Sequence, residues 1–212
     1  MNSAIIQTQI YKGYGAAAAV LGSVYSQYRP TNALAPIGAA IATPNVAFNA
    51  EDMQFKRPSK YGKPTWFALF DASAAQVGDY LVGGEGAFFI AAMQLMLPVL
   101  VVSCNRTIAV SRPQQQTGIG AVSYGGNTVA AETPLMTGWP ASVLQGTKGE
   151  KSDVALPGDT RTPWWSILLP YFTGITIMPA DIITDDLGRR YVVSSPELTD
   201  LGWRITASMA VT

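Results

Sequence analysis

"PADIITDDLGRRYVVSSPELTDLGWRITASMAVT", Pro179–Thr212, is the stretch that decides the fold class. "DIIT" runs into "DDLG", a short turn in which Gly188 can take the left-handed position, and "RRYVVS" returns. After "SPELTDLG", the run "WRITASMAV" sets Ile205, Ala207, Met209 and Val211 on one face and Arg204, Thr206 and Ser208 on the other. That alternation is the mark of a half-buried strand at a sheet margin. Three short strands with tight punctuation predict a β-meander.

The same signal recurs upstream. "GITIMP" alternates Ile175 and Ile177, and "PTWFALFDAS", "GDYLVG", "GAFFIAAMQ", "LPVLVVSCN" and "RTIAVSRP" are short runs rich in Phe, Val, Ile and Tyr between Gly, Pro or Asn. Asn105-Arg106 stands where a hairpin turn would fall. The expectation is a mainly β chain, a small β-barrel or sandwich of about eight strands, over residues 64–212. Residues 118–163 lack alternation and read as a long central loop inserted in that domain. Residues 31–63, dense in turn formers, read as an extended arm, and residues 1–30 as an N-terminal helix. Ile6, Ile10, Tyr14, Ala17, Leu21, Val24 and Tyr28 fit one helical face, with Ser3 as N-cap, Gly13 and Gly15 as possible breaks and Pro30 as the stop. This helix either docks onto another subunit or tucks against the sheet.

Composition narrows the function classes. Of 212 residues 48% are hydrophobic and only 13% charged, with 14 basic residues against 14 acidic. So few charges leave little means of solvating a large surface, which points to an assembly subunit; the alternative is a monomer with a polar, uncharged skin. There is no histidine, so Ser-His-Asp and Cys-His constellations and the commonest metal ligand are absent. Cys104 is the one cysteine; it forms no intrachain disulfide and reads as a small core residue. No run is long enough to span a membrane as a helix, and the chain is expected to be soluble.

No motif carries chemistry. "AVSYG" (Ala121–Gly125) resembles a nucleophile elbow but has no histidine base, and "GTKGEKS" (Gly146–Ser152) departs from a phosphate-binding loop because Glu150 precedes Lys151. Asp181, Asp185 and Asp186 match no calcium loop and are expected to bond turn amides. No catalytic residue, metal ligand or cofactor is expected. The basic cluster Lys56, Arg57, Lys60 and Lys63, interleaved with Phe55 and Tyr61, is a candidate DNA-facing patch, against the alternative of a solvated loop. Tyr28, Arg29, Trp164 and Trp165 are candidate interface residues, against the alternative that at least one of the two tryptophans is core where the chain re-enters the barrel.

"AAAAVLGSVYSQYRP", "GDYLVGGEGAFFIAAMQLMLPVLVVSCNRTIAVSRP" and "ADIITDDLGRRYVVSSPELTDLGWRI" together resemble structural proteins of tailed bacteriophages, of the neck and head-to-tail connector (stopper or head-completion-like) or the proximal tail. The last stretch is similar to their phrase of a strand, an acidic turn with Gly, a "RYVV" strand, a loop and a "GW" strand. The resemblance implies a non-enzymatic virion protein, assembled in the bacterial host cytoplasm, whose copies form a ring that seals or extends the DNA channel. Its implied partners are its own copies, portal or other neck and tail proteins, and double-stranded DNA met non-specifically in the channel, with no membrane. The competing expectation is a histidine-free carbohydrate-active or glycan-binding β-sandwich of a tail, which needs paired carboxylates and tryptophans on a concave face.

Overall fold

A computed structural model of the chain describes residues 3–50, 63–114, 131–146 and 163–210. Helix α1 (Ser3–Leu21) precedes β1 (Ser23–Tyr28), β2 (Asn45–Ala50), β3 (Thr65–Leu69), β4 (Tyr80–Gly83), β5 (Gly86–Ala92) and β6 (Val99–Cys104). These six strands close into an antiparallel barrel in the order β1-β2-β3-β6-β5-β4. One residue later the chain starts again with β7 (Arg106–Pro113), β8 (Glu132–Gln145), β9 (Trp164–Leu169), β10 (Ile182–Asp185), β11 (Arg190–Thr199) and β12 (Gly202–Met209). Read from β7, the second barrel runs β7-β8-β9-β12-β11-β10, the same topology.

The repetition extends to single residues. Tyr25 pairs with Gly83 and Tyr28 with Tyr80 in barrel 1; Ile108 pairs with Asp185 and Ser111 with Ile182 at the matching places in barrel 2. Ala47↔Leu69 to Ala50↔Trp66 is matched by Ser142↔Leu168 to Gln145↔Trp165. Even the β-bulge recurs, between Ile90 and Ala92 and between Val193 and Ser195. The chain is a structural tandem duplication.

The mainly β class and the leading helix hold, and one barrel of about eight strands is replaced by two of six. The expected arm at 31–63 contains β2, and the expected loop at 118–163 contains the fourteen residues of β8. Both carry Pro or Asn where a clean alternation would be needed, so the period-2 signal is hidden. "GITIMP" forms no strand, although Ile177 is buried. Asn105 is not a hairpin turn: β6 and β7 belong to different barrels.

Helix α1 also ends earlier than Pro30, at Leu21, and Gly13 and Gly15 lie within it. It packs on barrel 1 through its small residues. Ala18 is fully buried, Tyr11 packs against the barrel-1 core, and a Cβ on Gly22 would fall 2.5 Å from the Val46 carbonyl oxygen. Of the expected face, Ile6, Ile10, Tyr14 and Ala17 are half-buried on α1, Leu21 at its end and Val24 of β1 are exposed, and Tyr28 is half-buried in β1. Close backbone approach, available only to small side chains, sets how near the C-terminal end of the helix lies to β2.

Two apolar cores follow from strand periodicity. Phe88 and Ile90 of β5 and Val99 and Val101 of β6 point into barrel 1. Their neighbours Phe89, Ala91 and Val102, with Tyr80 of β4, join a larger cluster that fills barrel 2 around Trp139, Ile167, Leu169 and Ile205. These strands are buried on both faces, which is why they read as uninterrupted apolar runs. Full burial of each such large side chain contributes about 1.5–3 kcal/mol.

Candidate interaction site between the barrels

The barrels are joined by a continuous seam. The Tyr80 hydroxyl donates to the Pro140 carbonyl at 2.8 Å, and its ring meets Trp139 edge-on at 6.1 Å. The Trp139 indole N–H and the Thr137 amide both donate to the Ala33 carbonyl, so the segment after β1 is held against β8 of the same chain. Asn105 is fixed by its side chain: its amide nitrogen donates to the Val143 carbonyl at 2.9 Å and its oxygen accepts from the Val143 N–H at 2.8 Å. The linker thereby borrows the hydrogen bonds of a strand.

Each barrel carries the same ion-pair clamp. Arg29, just past β1, donates from Nε and Nη2 to both oxygens of Asp79 at 2.8 Å, and from Nη2 to the Ala74 carbonyl. Arg112 of β7 does the same with Asp181 at 2.8 and 2.9 Å and with the Thr176 carbonyl. In both, the carboxylate also accepts from the amide three residues before it, Gln76 or Met178. The Asp side chains are 1–2% exposed and the Arg side chains about a third exposed. The hydrogen bond to each carboxylate raises the pKa of its arginine. These clamps pin the loop before the fourth strand of each barrel to the end of its first strand.

Asp79 and Asp181 are therefore committed to structure. Asp185 is as well: it accepts from the Leu187 and Arg189 amides and the Tyr191 hydroxyl, the turn role expected of it, with Gly188 at φ 74°. Asp186 lies 3.9 Å from Arg106. Among the described residues no group of three or more His, Cys, Asp or Glu could hold a metal. Burial pushes the Cys104 thiol pKa far up, away from reactivity.

No family model, curated protein or solved structure matches the chain.

The sequence-predicted interface residues are not one patch. Tyr28 is half-buried against the shared core and Arg29 is the barrel-1 clamp. Trp165 is buried in barrel 2, its ring centroid 5.4 Å from that of Tyr191, and the half-buried Trp164 lies against Gly146. None of the five tryptophans is exposed. Lys63 is exposed ahead of β3; Lys56, Arg57 and Lys60 lie outside the described residues.

What the surface does offer is a groove of about 320 Å³ where the barrels meet. Val77 of barrel 1 faces Pro170 and Tyr171, which follow β9, and Leu198, Asp200 and Leu201 of the β11–β12 turn. Val77, Tyr171, Leu198 and Leu201 are each at least 40% exposed. Thr199 shapes the turn by donating to the Gly202 carbonyl at 2.8 Å and accepting from the Leu201 amide. The signal was present in "SPELTDLG": two leucines at a hairpin tip, where polar residues are usual. No helix among the described residues is long and apolar enough to cross a membrane.

Proposed function

We propose that this chain is a structural subunit of a tailed-bacteriophage virion, placed as a ring of copies at the head-to-tail connector or proximal tail, where packing between subunits seals or extends the DNA channel. The observation that carries this is the apolar surface of a weakly charged molecule: Val20, Leu21, Val24 and Leu95 are 65–82% exposed on a chain with 13% charged residues. An exposed apolar surface with few charges around it favours burial against a partner, and a second copy is the partner always at hand.

The carboxylates add support. Asp79, Asp181 and Asp185 are consumed by clamps and turns, which leaves a rigid frame with adhesive edges. Rings arise from heterologous contacts when the rotation per subunit closes. The test is sedimentation of the purified protein over a wide concentration range, together with a mass-spectrometric count of copies per particle. Self-association and several copies per virion are expected. A protein that stays monomeric and is missing from particles would sink the proposal.

A further inference from the structure

We infer that the groove on barrel 2 receives the outward face of helix α1 from a second copy, with Val20 entering among Tyr171, Leu198 and Leu201 and Lys12 meeting Asp200. The inference deepens the assembly function proposed above and rests on it.

The duplication supplies the first argument. On barrel 1, α1 lies across three features: Gly22 against β2, Gly15 against Asp71 just after β3, and Gln7 accepting from the Met96 amide in the β5–β6 turn at 2.7 Å. The matching features of barrel 2 are β8, the Pro170–Tyr171 segment after β9, and the β11–β12 turn at Leu198–Leu201. The last two line the groove. What is covered by a helix on one barrel is thus left as an apolar groove on its twin.

The helix supplies the second. With its inner face spent on barrel 1, α1 turns Ile5, Gln9, Lys12, Ala16 and Val20 outward, at spacings of four, three, four and four, and all five are exposed. Val20 is 82% exposed. Lys12 is the only charged residue of α1, and Asp200 the only one lining the groove. Among the described residues neither has an ion-pair partner, so the two surfaces are complementary in charge as well as apolarity. The groove also takes Val77 and Ile90 of barrel 1 into its lining, so a docked helix would touch both barrels. A contact between two different surfaces of one chain is heterologous and propagates from copy to copy.

The experiment uses the full-length protein and reads self-association by sedimentation. Val20→Asp and Leu201→Asp should each weaken it by about tenfold or more, since each removes a buried aliphatic contact. Each variant alone should fail to form long assemblies, while an equimolar mixture should form pairs, the intact groove of one taking the intact helix of the other. Lys12→Glu and Asp200→Lys should each weaken association several-fold, and the double variant should restore it. Self-association of wild-type strength in both Asp variants, or no restoration by the charge swap, would overturn the inference and leave the assembly function standing. A wild-type protein monomeric at every concentration would overturn both.

Discussion

Ala180 occupies φ 69°, a left-handed position for a residue with a Cβ, and the matching residue of barrel 1 is Gly78 at φ 91°. Ala180→Gly is expected to stabilise the protein by about 0.5–1 kcal/mol, the relieved strain outweighing the added freedom of the unfolded chain. The two clamps give a second pair of matched tests. Asp79→Ala and Asp181→Ala should each cost about 2–4 kcal/mol, below the full range for a buried pair because each arginine is partly solvated. Urea denaturation of the single and double variants would check this; near-additive losses are expected from sites on separate barrels. Ionisation sets a third expectation. Burial raises the Tyr25, Tyr80 and Tyr191 hydroxyls above their ordinary 10.0, aided by nearby Glu85 for Tyr25 and Asp185 for Tyr191, and raises the Cys104 thiol above its ordinary 9.0. The folded state holds these protons more tightly than the unfolded chain. Their contribution is therefore complete below about pH 9 and is lost as pH rises beyond the unfolded values. With no histidine in the sequence, urea midpoints should change little between about pH 6 and 8 and fall by about pH 10.5.

At the level of elements, α1 is held by contact distance. Gly22→Val would drive a branched side chain into the Val46 carbonyl and should release the helix, at a cost of about 1–3 kcal/mol and with a measurable loss of helical circular dichroism. Strands were legible in the sequence where one face is polar, as in β12, or where both faces are apolar, as in β5 and β6. They were hidden in β8, where Pro134, Gly138 and Pro140 interrupt the alternation and bulges shift its register against β7. β1 was hidden because small residues and the helical spacing of Tyr28 from Val24 continue the pattern of α1. The duplication left scattered traces, namely Arg-Pro at the ends of β1 and β7, Pro64, Trp66 and Leu69 against Pro163, Trp165 and Leu168, and Asp79 against Asp181, too dispersed to stand out between otherwise divergent barrels. The groove went unread for a different reason: it is made by residues distant in sequence, Val77 beside Tyr171 and Leu201.

On the scale of the whole molecule, the twin barrels have diverged in what their outer faces meet. β4, β5 and β6 turn the buried Tyr80, Phe89 and Val102 toward barrel 2, whereas of the matching Ile182, Val192 and Ser208 on barrel 2 only Ile182 is buried. The shared core therefore makes barrel 1 incomplete without barrel 2. A single cooperative unfolding transition is expected, with near-ultraviolet and far-ultraviolet circular dichroism coincident; two resolved transitions would show the seam to be weaker than its burial implies.

Asn105 has a mechanical corollary. A lone residue between two bodies would ordinarily act as a swivel, but here the side-chain amide is stapled to Val143 on both its donor and its acceptor. Torque applied at α1 should therefore reach the far end of barrel 2 undiminished, as along a solid shaft. Successive copies joined end to end would inherit that stiffness and sum their small rotations into a fixed curvature.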